Sequence, residues 1–175
     1  MKELVFEVGT EEMPPRFVPQ AIEVIRERFA KWLKEERIEG KEIKVFGTPR
    51  RLVILGLLEE YQSPLEVLKI GPPKKVAFKE DGRPTPQAEG FAKSQGVSVD
   101  ELVVISTEKG EYVAVKKSEE GKSTSELLKG FLPQLILNLP MPKSMRWEKR
   151  NLRFIRPIRW VLAVFGGEVL ELEVF

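Results

Sequence analysis

The sequence predicts an α+β fold, a mixed and mainly antiparallel sheet arrangement with helices packed on one face. Three observations predict it. Residues 3–8, ELVFEV, alternate with the period of two that marks a half-buried strand. Residues 17–36 set Val18, Ala21, Ile22, Ile25, Phe29, Trp32 and Leu33 on one stripe at helical spacing. Residues 42–47 and 51–58 then return to strand patterning, so the order is strand, helix, strand, strand.

Each element has its own local reason. Gly9-Thr10-Glu11-Glu12-Met13-Pro14-Pro15 reads as a turn into the helix, with Thr10 or Glu11 as the N-cap and prolines before or in the first turn. Arg51–Leu58, RLVILGLL, is nearly all apolar and predicts a buried central strand. A strand near 65–70 precedes loop chemistry at Gly71-Pro72-Pro73 and Asp81-Gly82-Arg83-Pro84, and a sub-boundary within the 1–175 region is placed near 72–84. Thr85-Pro86 opens a short helix that stops at Gly96, with Ala88, Phe91 and Ala92 as its apolar face. Ser98 and Glu101 have capping-box spacing. Leu102–Thr107 and Glu111–Lys117 predict a hairpin. Ser123 and Glu126 suggest a second capping box, ahead of a helix through Leu127, Leu128, Phe131, Leu132, Leu135 and Ile136. Pro133 inside it predicts a kink. Ile158–Phe165 reads as a buried element. Leu170–Phe175 reads as a strand running off the last residue, which points to a piece of a longer protein.

Composition narrows the chemistry. The 175 residues contain no Cys, which excludes disulfides, thiolate catalysis and Cys-based zinc sites. They contain no His, which removes the usual triads and imidazole acid–base chemistry. No apolar run approaches the length needed to span a membrane, and Met1-Lys2-Glu3 leads straight into strand patterning and not into a signal peptide, so a cytoplasmic location is expected. Gly121-Lys122-Ser123 has the tail of a phosphate-binding loop, but Lys116 stands where the first glycine belongs. Glu11-Glu12 could be paired carboxylates for metal or proton work, or favourable charge at a helix N-terminus.

Net charge is only +2, so any grip on nucleic acid must come from a local patch. Residues 141–160 supply one. Seven of these twenty side chains are cationic: Lys143, Arg146, Lys149, Arg150, Arg153, Arg156 and Arg159. Trp147, Phe154 and Trp160 are interleaved among them. Arginine offers a planar fork that holds phosphate by two bonds, and aromatics offer stacking surfaces to bases. The alternative is a solvated turn and strand whose aromatics belong to the core. Arg50-Arg51 is a second candidate pair, for phosphate or for a carboxylate on the sheet.

Six blocks together resemble the N-terminal region of the β subunit of bacterial heterotetrameric glycyl-tRNA synthetase. They are Val5–Pro15, Gly47–Leu52, Lys69–Pro73, Ala88–Ala92, Met141–Trp147 and Phe154–Trp160, in the family's order. Position 159 departs from the family, which usually has histidine there. The resemblance implies a fold like the editing-domain region of the phenylalanyl-tRNA synthetase β chain. It implies a role in aminoacyl-tRNA synthesis for protein biosynthesis: an α2β2 ligase that joins glycine to tRNA(Gly). ATP and Mg2+ would act at the α subunit, with no cofactor, metal or catalytic residue in this region. On that reading the chain is a non-catalytic tRNA-binding and assembly part, with Arg50, Arg51, Lys143, Arg146, Trp147, Arg153, Arg156 and Arg159 as tRNA contacts. Two other roles stay open: a hydrolytic editing-like domain using Thr10, Glu11 or Glu12, and a docking domain for the α subunit.

Overall fold

A computed structural model describes residues 1–140, 144–147 and 152–174. The chain divides into two compact units, one formed by Met1–Ser63 with Gly121–Phe175 and the other by Pro64–Glu120. Residues 72–84 lie inside the second unit. The architecture is α+β, with antiparallel sheets and four α-helices among the described residues.

The first unit is built on a five-stranded sheet. Its strands are β1 (Lys2–Thr10), β2 (Gly40–Thr48), β3 (Arg51–Leu58), β9 (Ile158–Phe165) and β10 (Glu168–Val169). They lie in the order β10-β9-β1-β3-β2, every neighbouring pair antiparallel. Leu4, Phe6 and Val8 of β1 and Leu52, Ile54 and Leu58 of β3 turn one face into the core. Helix α1 (Val18–Glu35) covers that face with the expected stripe, in which Val18, Ala21, Ile25, Phe29, Trp32 and Leu33 are buried. Helix α4 (Thr124–Leu137) joins it through Leu128, Leu132, Leu135 and Ile136. Trp32 stacks on Phe131 at 4.3 Å between ring centroids, which ties α1 to α4.

Three local expectations are corrected here. Neither Thr10 nor Glu11 caps α1. Thr10 still belongs to β1, and the helix is entered through a one-turn 3-10 helix at Pro15–Phe17, with no side-chain cap on α1. Prolines at 14, 15 and 19 have no N–H, so this entry leaves fewer donors in need of a cap. The second capping box does not form. The Ser123 hydroxyl meets the Ser125 hydroxyl at 2.8 Å, and the start of α4 is held by tertiary bonds instead. The Thr124 hydroxyl donates to the Glu59 carbonyl at 2.6 Å and the Thr124 N–H to the Glu60 carbonyl at 2.8 Å. Finally, the expected strand over Leu170–Phe175 is absent from its described residues, Leu170–Val174. Only Glu168–Val169 pair with β9, and although Leu170 is buried, Leu170–Val174 is outside any strand.

β9 departs from its expected full burial for a reason that bears on function. Ala163 and Phe165 enter the core, whereas Trp160 and Leu162 point to the sheet's other face and stay exposed. An apolar run does not reveal that only one face of an antiparallel sheet is covered.

The second unit is a three-stranded antiparallel sheet, β4 (Leu65–Pro73), β6 (Gly110–Glu119) and β5 (Val103–Thr107), with β6 in the middle. The hairpin expected at 102–117 is the β5–β6 pair. Short helix α2 (Lys74–Ala77) and helix α3 (Pro86–Gln95) supply Ala77 and Ala88 to a small core with Val113. Ser98 and Glu101 form the expected capping box, both hydrogen bonds present.

Candidate nucleic-acid interface

The cationic candidates fall into two groups. The first gathers at the end of β1. The main chain stitches three connections together there: Thr10 N–H donates to the Arg50 carbonyl at 3.0 Å, Glu11 N–H to the Pro157 carbonyl at 3.0 Å, and Met13 N–H to the Pro49 carbonyl at 2.7 Å. Residues 10–13, 49–51 and 156–160, far apart in sequence, thereby form one corner.

Each arginine of the corner has a partner. Arg50 donates to the Glu12 carboxylate at 3.1 Å. Arg51 lies 3.6 Å from the Glu7 carboxylate, and Arg159 lies 3.4 Å from that of Glu11. Half-buried Arg156 donates from Nε to the Glu12 carbonyl at 3.1 Å. Glu11 and Glu12 are therefore surface carboxylates engaged with arginines, with side chains 51% and 63% exposed, and not the lining of a closed pocket. Exposed pairs of this kind contribute about 0–1 kcal/mol each, so the guanidiniums remain free to exchange partners. The Thr10 hydroxyl is buried at this corner and has no hydrogen-bond partner among the described residues.

Trp160 completes the corner. Its ring lies against Gly9, where an added Cβ would fall 2.0 Å from a ring carbon. Its indole N–H donates to the Glu7 carboxylate at 2.7 Å, and the Arg51 guanidinium sits 5.7 Å from the ring centroid. The ring is positioned from several directions and yet 42% exposed. Phe46 and Leu162 are exposed on the same face, because Phe46 pairs with Val53, and Val53 and Leu162 both pair with Glu7.

The second group stands on a hairpin of β7 (Met145–Trp147) and β8 (Leu152–Phe154). Arg146 lies directly opposite Arg153, and both are exposed. The neighbouring positions face the other way. Phe154 is buried in the core, and half-buried Trp147 packs on that core and donates its indole N–H to the Phe154 carbonyl at 2.9 Å. Trp147, named from the sequence for stacking, thus anchors the hairpin, while the better displayed indole is Trp160. Neither Arg146 nor Arg153 has a carboxylate partner among the described residues. Lys143 lies outside the described residues.

The segment at Gly121 that has the tail of a phosphate-binding loop does not form a phosphate cradle. Lys122 N–H donates to the Gln62 side chain and its carbonyl accepts from Gln62 N–H, each at 3.0 Å, and a Cβ on Gly121 would fall 2.0 Å from the Gln62 carbonyl oxygen. No group of three acidic side chains that could hold a metal occurs among the described residues.

Arginines are exposed on an antiparallel α+β scaffold, and comparison with known proteins points to aminoacyl-tRNA synthetases. Three curated relatives are each named glycine--tRNA ligase beta subunit. That of Halothermothrix orenii is 46% identical over 172 residues, covering 97% of this chain and 24% of the relative. That of Trichlorobacter lovleyi is 47% identical over 170 residues, covering 97% and 25%. That of Thermodesulfovibrio yellowstonii is 46% identical over 174 residues, covering 99% and 26%. The family model described as glycyl-tRNA synthetase beta subunit matches residues 4–175, and the chain belongs to that family. It spans about a quarter of the length of the curated relatives it matches.

Proposed function

We propose that this chain is a tRNA-binding and assembly part of a glycine–tRNA ligase and has no catalytic centre of its own. The whole cytoplasmic enzyme would join glycine to tRNA(Gly), with ATP and Mg2+ acting at the α subunit of an α2β2 assembly. The observation that carries the tRNA reading is the hairpin that buries its aromatics and presents Arg146 and Arg153 side by side to solvent. The corner arginines add a second set of cations held only by exposed, exchangeable ion pairs. Affinity from such a surface is mostly electrostatic. Titration of tRNA at two salt concentrations tests it. Two to four phosphate contacts would weaken binding by about 10- to 150-fold between about 50 and about 200 mM salt. A flat response removes the proposal.

A second reading rests on the sheet face that carries Phe46, Trp160 and Leu162. Exposed aromatic and aliphatic side chains beside Arg51 have the composition of a protein-docking surface. On this reading the face holds the α subunit. Mixing the chain with the α subunit and with tRNA separately distinguishes the two, because on the docking reading Trp160→Ala should abolish the protein complex while tRNA binding through Arg146 and Arg153 persists.

A further inference from the structure

We propose that Arg146 and Arg153 form a two-guanidinium clamp that closes on a single phosphodiester of RNA. The inference takes the tRNA reading above as its source for the phosphate. It starts from an anomaly in the hairpin. Residues directly opposite on antiparallel strands have Cβ atoms about 5 Å apart, and like charges placed there destabilise the pair. Neither partner has an acid to offset it among the described residues, although arginines 50, 51 and 159 each have one.

The hairpin cannot turn the pair away from solvent. Its other face is held by buried Phe154 and by Trp147, whose N–H is bonded across the strands to the Phe154 carbonyl. Rotating the ribbon would take Phe154 out of the core. The two arginines therefore leave the ribbon from neighbouring positions on its exposed face, within reach of one shared anion. An anion between them turns mutual repulsion into shared attraction. A phosphodiester carries one charge and two free oxygens, so each fork can take one oxygen from its own side. A carboxylate offers two oxygens in one plane, which suits a single fork better than two. Lysine would keep the charge and lose the fork.

Two measurements on the full chain test the clamp. The first is the thermal midpoint in inorganic phosphate against sodium chloride of equal ionic strength. Phosphate should raise the midpoint of the wild type, and Arg146→Gln or Arg153→Gln should each remove that rise. Without phosphate, each variant should melt at or up to about 3 °C above the wild type, because repulsion is relieved. The second is tRNA binding by the two variants and their double. If both hold one phosphate, the double should lose little more affinity than either single. The salt slope should then fall by about one charge in total. Arg146→Lys should fall between wild type and glutamine.

Additive losses with a slope reduced by two charges would overturn the clamp and leave the tRNA reading in place. A phosphate effect that survives both substitutions would overturn it as well. A wild-type chain that responds to phosphate through these arginines but binds no tRNA at low salt would overturn RNA as the ligand, and with it the reading underneath.

Discussion

Thr10 and Gly9 sit side by side at the end of β1 and are expected to respond to substitution in opposite ways. The Thr10 hydroxyl is buried and unpartnered among the described residues, so Thr10→Val exchanges a desolvated polar group for a methyl of similar size. We expect no loss of stability, and a gain of up to about 1 kcal/mol, in urea unfolding. A loss of that size would mean the hydroxyl is bonded in solution. Gly9→Ala should destabilise by about 1–2 kcal/mol, because the new methyl falls within the Trp160 ring. In a Trp160→Ala background the same substitution should cost much less, since the three atoms nearest the new methyl all belong to that ring. None of this could be read from the residues in a row. Gly9 and Trp160 are neighbours only because β1 pairs with β9 across 151 positions of sequence.

Elements show where local pattern suffices. The α1 stripe, the strand over 51–58, the 103–119 hairpin and the Ser98–Glu101 box are formed as their spacing indicates. Their determinants lie within a few residues of one another. The Ser98 main chain and then its side chain hold the Glu101 carboxyl below its ordinary value of 4.5. A lowered folded-state pKa means the stabilising contribution is full above the unfolded value. It is lost as pH falls through the folded one. We therefore expect Ser98→Ala to weaken the second unit near neutral pH. The difference from wild type should shrink as acid protonates Glu101 in both, as followed by urea midpoints between pH 7 and pH 3. The Ser123 box does not form, its hydroxyl being paired with that of Ser125, and the helix start is held instead by the Glu59 and Glu60 carbonyls through Thr124. No local spacing reports a hydrogen-bond partner 65 residues away.

The whole chain is laid out so that one unit is inserted in the other. The two crossings, after Ser63 and before Gly121, are joined by the Gln62–Lys122 hydrogen bonds and the Tyr61–Ser123 bridge. With its ends already adjacent, residues 64–120 should be replaceable by a short Gly/Ser linker. The first unit should then keep its cooperative melt and, on the proposed function, its salt-dependent binding of tRNA. Loss of folding on excision would show that the first unit depends on the inserted one. Lowering acidity at the corner acts at the same scale. On the proposed function, Glu12→Gln would release Arg50 for phosphate and should tighten tRNA binding about two- to fourfold, while costing at most about 0.5 kcal/mol of stability.

Residue types and their periods were enough to indicate an α+β chain, its main helix and most of its strands, while six collinear blocks carried the resemblance to its family. They also singled out the arginine-rich stretches proposed to meet tRNA. Which arginines face solvent and which are held by carboxylates was decided by strand register and by the stitched corner. The same is true of which tryptophan is an anchor and which is displayed. Periodicity is a property of neighbours a few residues apart, whereas an ion pair such as Arg159 with Glu11 depends on where distant segments come to rest.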